Sequence, residues 1–163
     1  MASRGFITTS DGVGISYTQD GPADGANILF PPGWRQTAAQ WQKQVDHFRA
    51  ACRVTTFDYR SRGESNKPAS GYTVRVLASD LNELGGSLRL RECTAVGHSM
   101  GASVVWAFWD AYPGSRHLIH KFVIADQAPC MLLDPSWNET QTKNTVPHSP
   151  GRHWTSSRKY STT

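Results

Sequence analysis

No apolar run in these 163 residues approaches the roughly 18–20 that a membrane-spanning helix needs. A membrane protein is therefore not expected. The N-terminal stretch "MASRGFITTSDG" lacks the apolar middle of a secretory signal. Cysteine is scarce, and Cys52, Cys93 and Cys130 are odd in number and match no metal-ligand spacing. Buried, reduced thiols follow, not a disulfide framework, and with them an intracellular, cytoplasmic protein. No His/Asp/Cys cluster has ligand spacing, so neither a metal nor a cofactor is expected. No internal repeat is present.

The net charge is +4, which invites a nucleic-acid partner until its distribution is considered. The segment 138–163 carries Lys143, Arg152, Arg158 and Lys159 against Glu139 alone, hence +3 of the +4. Residues 1–137 are nearly neutral. A basic groove needs its charge clustered on the folded part. No nucleic-acid partner is expected.

What is present is an alternation. Residues 3–9 and 13–19 flank "SDGVG" and read as two strands joined by a tight turn. "NILFPPG" (27–33) is a third strand, and "RVTTFDY" (53–59) a fourth. Between them Trp41, Val45 and Phe48 fall on one helix face. Leu77, Leu81, Leu84 and Leu88 repeat at helical spacing before a fifth strand, "CTAVGHS". "GASVVWAFWDAY" is apolar around most of its circumference, which predicts a buried helix, and "KFVIAD" (121–126) is a sixth strand. The expected class is α/β, a mostly parallel sheet with flanking helices. Beyond residue 137 the period is lost, and ten of the last 26 residues are Ser or Thr. That composition predicts a disordered basic tail over 138–163, set apart from a domain over 1–137.

Gly97-His98-Ser99-Met100-Gly101 fits the G-x-S-x-G nucleophile elbow, with a strand before it and a helix after it. A serine on such a turn stands clear of the sheet at a helix N-terminus, whose free N–H groups favour a developing oxyanion. The competing reading is a glycine-rich turn with an incidental serine. The strand and helix around it favour the elbow.

With these residues in place, the chain resembles the N-terminal part of an α/β-hydrolase-fold protein of the serine esterase and non-haem-haloperoxidase kind. "PPGWRQTAAQW" stands where that family has its oxyanion loop. "DYRSRGES" resembles its Asp-x-Arg-Gly-x-Gly-x-Ser turn, and "FVIADQAPCML" its sixth strand. The resemblance implies Ser99 as nucleophile, with the backbone N–H groups of Trp34 and Met100 as the oxyanion hole. It implies structural roles for Asp58 and Arg60. Pro32 and Ser61 depart from the family pattern, which has His and Gly there.

A serine needs a base, and the base an orienting acid. The family places these after its seventh and eighth strands, yet six strands are found here. The expectation is a C-terminally truncated α/β-hydrolase fold lacking the lid and the last two strands. Asp126, after the sixth strand, is the best acid available, with a turn-capping role as its alternative. Of the six histidines, His47 and His117 read as surface residues, His120 as remote and His98 as packing. Only His148 and His153 keep the order Ser-Asp-His, so the candidate triad is Ser99 and Asp126 with either of them, His153 being taken first.

Three functions compete: a serine hydrolase of a small carboxylic ester, thioester or lactone, through an acyl-Ser99 intermediate; a truncated, inactive pseudo-hydrolase; and a binding protein that self-associates through its exposed sheet edge. An aspartate-nucleophile dehalogenase is disfavoured, because Ser99 holds the elbow.

Overall fold

The alternation in "RGFITTSDGVGISYTQD" builds a hairpin in which β1 (Ser3–Thr8) runs antiparallel to β2 (Gly14–Asp20), with Phe6 opposite Ser16. The computed structural model describes residues 2–127. The expected boundary at 137, the tail beyond it, Cys130, His148 and His153 lie outside the described residues.

β2 also pairs antiparallel with β4 (Cys52–Phe57). From there the sheet is parallel: β4 beside β3 (Ala26–Phe30), β3 beside β5 (Cys93–His98), and β5 beside β6 (Ile119–Ala125). The order β1-β2-β4-β3-β5-β6 is the α/β architecture expected. β3 stops at Phe30, where the two prolines were expected to end it, because Pro31 and Pro32 cannot donate to the ladder.

Side chains alternate across the sheet and divide the core in two. Leu29, Phe57 and Ala95 face α2 (Val74–Ser87) and α3 (Met100–Ala111), meeting Leu77, Leu81, Leu84, Val105 and Phe108. Ile28, Phe30 and Val54 face the other way and meet Trp41 and Val45, from a 3-10 turn and α1 (Gln42–Phe48). The helical spacings of both segments are thus read correctly, except that Phe48 ends at the exposed margin. One expectation needs correction. α3 is not buried all round: Trp109 is 42% exposed, and Trp106 packs edge-on to Phe122. The helix buries the side that meets the sheet and α2, while its outer side is uncovered among the described residues. None of the described helices is long and apolar enough to cross a membrane. Cys52 and Cys93 are free thiols, and burial pushes Cys93 up to about 12.

One ion cluster ties the hairpin to α2. Arg60, 4% exposed, grips Asp80 through Nε and Nη2 at 2.7 and 2.6 Å, and Asp11 through Nη1 and Nη2 at 2.8 and 3.1 Å. The exposed Asp11 is held down at about 2 by this guanidinium and the Thr9 hydroxyl. At Asp80 burial dominates and raises the carboxyl despite the pairing.

Removing Arg60 leaves the Asp80 carboxylate buried and unpaired. Arg60→Met should cost roughly 3–5 kcal/mol in urea denaturation, and Asp80→Asn added to it should recover part of that loss. In Arg60→Met the folded-state pKa of Asp80 rises further above its unfolded value. The deficit should therefore shrink as pH falls toward the ordinary carboxylate range and be largest near neutrality.

Candidate active site

β5 ends at His98 and α3 begins at Met100, so a single residue turns the chain. That residue, Ser99, has φ 48° and ψ −120°, a conformation costing a side-chain-bearing residue about 1–3 kcal/mol. Its neighbours hold it there. The Ser99 N–H donates to the Ala125 carbonyl at 2.9 Å, one step beyond the last β5–β6 pair, and its own carbonyl accepts from Ala102 N–H at 2.9 Å. Two glycines permit the approach. A Cβ on Gly97 would lie 2.7 Å from the Ala102 Cα, and one on Gly101 would run into the Pro31 and Pro32 carbonyls.

Ser99 is half-buried, and its Oγ makes no hydrogen bond among the described residues. Met100 is the first residue of α3, so its N–H stands outside the helical ladder. Across from it runs the loop after β3. Gly33 N–H donates to Gln40 Oε1 at 3.0 Å, and the Gly33 carbonyl accepts from Gln36 N–H at 3.2 Å. These bonds fix the turn around Trp34, whose own N–H has no partner among the described residues. Trp34 and Met100 then line one pocket of about 220 Å³, together with Tyr59, Arg62, Tyr72 and Leu77.

The other expected residues are placed unequally. Asp126 follows β6 directly, at the same end of the sheet as Ser99, exposed and with φ 55°. Its carboxylate has no hydrogen-bond partner among the described residues, so the structure brings Asp126 near the elbow without joining it to a histidine. His47 and His117 are exposed. His120 sits inside β6 at the far end, not ahead of the strand as predicted. His98 faces away from the turn: its ring lies against Gly33 and edge-on to Trp41, 6.4 Å between centroids. Its Nδ1 is buried without a partner among the described residues.

Asp58 is a scaffold residue. It accepts from the Ala38 N–H at 2.7 Å, the Glu64 N–H at 3.0 Å and the Ser16 hydroxyl at 3.1 Å, and so ties the Trp34 loop to β2 and the "DYRSRGES" turn. The pocket walls Tyr59, Arg62, Tyr72 and Leu77 were not found from sequence. Only the position of Arg62 and Tyr59 within the motif already quoted hinted at them. Among the described residues no group of three or more His, Cys, Asp or Glu is arranged to hold a metal ion.

Residues 28–161 match the alpha/beta hydrolase family. A non-heme chloroperoxidase of Streptomyces lividans is 33% identical over 82% of this chain and 48% of its own length. A bifunctional esterase/perhydrolase of Acinetobacter calcoaceticus is 30% identical over the same shares. The solved structure of an esterase from Exiguobacterium antarcticum superposes with a TM-score of 0.71 at 28% identity, over 76% of this chain and 45% of that one. The chain spans about half the length of the curated relatives it matches.

Glycine adopts the Ser99 conformation without strain, whereas alanine does not. Ser99→Gly should thus be more stable than Ser99→Ala by about 1 kcal/mol or more. Gly101→Ala should destabilise by roughly 1–3 kcal/mol through the clash with Pro31 and Pro32. Thermal melts of the three variants side by side would check both orders.

Proposed function

As this chain belongs to the alpha/beta hydrolase family, we propose that it is built for serine-nucleophile hydrolysis of a small carboxylic ester, thioester or lactone. The observation that carries this reading is the strained Ser99 backbone, φ 48° and ψ −120°, at the N-terminus of α3. Such strain persists only where the surroundings enforce it, and here they enforce an outward hydroxyl.

The Ser99 Oγ attacks the acyl carbon while its proton passes to a base. The carbonyl π electrons move to oxygen, and the Trp34 and Met100 N–H groups receive that oxyanion. Collapse of the tetrahedral intermediate expels the alcohol, which takes the proton from the base, and leaves acyl-Ser99. Water then repeats the sequence: its proton goes to the base, its oxygen to the acyl carbon, and Ser99 leaves with the proton returned. The products are one carboxylic acid and one alcohol or thiol; a lactone gives the ring-opened hydroxy acid. His153 is assigned as the base and Asp126 as its orienting acid, which keeps the chain order Ser-Asp-His.

A second reading has its own observation. Among the described residues no histidine hydrogen-bonds Ser99, and the edge strand β6 exposes Val123 and Ile124, neighbours that point to opposite faces of the sheet. An elbow without turnover, on a chain that self-associates along β6, fits that pattern.

Hydrolysis of short p-nitrophenyl esters by the 163-residue chain separates the two. Ser99→Ala, Asp126→Asn and His153→Ala should each lower kcat, the first and last by roughly 10³-fold or more. Loss in Ser99→Ala alone would move the base to another residue such as His148. A folded chain no faster than Ser99→Ala, dimerising with concentration, would establish the second reading.

A further inference from the structure

Among the described residues, the pocket beside the elbow contains one cation paired with carboxylates and one that is not. Arg60 spends its guanidinium on Asp80 and Asp11. Arg62, two residues on, lies over the Trp34 ring at 5.6 Å and among the described residues gives a single side-chain hydrogen bond, from Nη1 to the Ser61 carbonyl at 3.1 Å. A guanidinium laid on an aromatic face keeps its N–H groups in plane and pointing outward, the geometry that meets a carboxylate in bidentate fashion. The stack also limits the rotamers Arg62 can lose on binding.

The rest of the pocket suits a short carbon chain. Leu77, Met100 and the Tyr72 ring line it, and Tyr59, 1% exposed, is buried with its hydroxyl unpartnered among the described residues. Burial and the Asp80 charge keep that phenol protonated, so it is a donor. A volume of about 220 Å³ accommodates an acyl group of a few carbons. Asp80 and Asp11 together outweigh Arg60, which disfavours an anion at the buried end and places it at the rim, beside Arg62.

The geometry points to acyl groups that carry their own carboxylate, half-esters of short dicarboxylic acids, as the ligands of this pocket, with Arg62 as the residue that selects them. This rests on the hydrolase reading for the identity of the reacting bond, but the recognition itself needs no turnover.

The test therefore has two arms. In the first, p-nitrophenyl half-esters of malonate, succinate and glutarate are compared with p-nitrophenyl butyrate by kcat/KM. At least one half-ester should exceed butyrate about tenfold, a ratio that Arg62→Gln abolishes, Arg62→Glu inverts and Arg62→Lys keeps in part. In the second, monomethyl succinate, monomethyl glutarate and methyl butyrate are titrated calorimetrically against the same four proteins. Charge-selective binding lost in Arg62→Gln supports the assignment even if no ester turns over, and in that case only the hydrolase reading fails. Turnover of charged and neutral esters alike, unchanged in ratio by Arg62→Gln, overturns the assignment and leaves the hydrolase reading intact. Methyl butyrate bound as tightly as the monomethyl half-esters, or no binding in either series, overturns it as well.

Discussion

The Ser99 N–H donates to the Ala125 carbonyl over 2.9 Å, and much of the surrounding structure keeps that bond in place. β5 and β6 pair in parallel as far as His98 opposite Ala125, so the bond extends the ladder by one step into the turn. Gly97 and Gly101 let α3 close onto the strand and onto the Pro31–Pro32 carbonyls. The backbone strain costs about 1–3 kcal/mol. Burying one Leu, Val or Phe side chain contributes roughly 1.5–3 kcal/mol, and Val104, Val105 and Phe108 of α3 are fully buried. The helix that the turn creates thus supplies the packing that offsets the turn.

The two arginines of "DYRSRGES" show how neighbouring residues of one type take different work. Arg60 points inward, where an unpaired guanidinium is untenable, and Asp80 and Asp11 satisfy it. Arg62 points to the pocket rim, where an aromatic face and partial solvation support its charge with no carboxylate partner among the described residues. Asp58, directly after β4, fixes by hydrogen bonds the loop carrying Trp34 and the turn carrying both arginines. A shift in either would move the pocket wall against the elbow.

Local pattern was enough for the elements. The leucine repeat of α2, the β-branched run of β4 and the strand-turn-helix around Ser99 each carry their own signal within about a dozen residues. Where the pattern misled, the cause was tertiary. α3 is apolar around most of its circumference, yet composition does not say which partners cover it, and Trp109 remains outside. The elbow was legible because glycine spacing reports a close approach directly. The pocket was not, because Trp34, Tyr59, Tyr72 and Leu77 come from three separate segments, and only the folded sheet brings them together. His98 shows the converse. Its place in the chain is beside Ser99, but the alternation of a strand turns its ring toward Gly33 and Trp41.

That orientation bears on where a base can come from. The histidine nearest in sequence is committed to packing, and His120 stands at the opposite end of β6. The proposed hydrolysis requires a base within hydrogen-bond distance of Oγ, at the end of the sheet where the parallel strands finish. Asp126 marks that end, and Gln127 Nε2 donates to the Ser103 hydroxyl of α3 at 3.0 Å. This bond holds the point where the chain leaves β6 against the first turn of the helix that follows Ser99. Asp126 and Gln127 thus stand beside the elbow and not at the far end of the sheet.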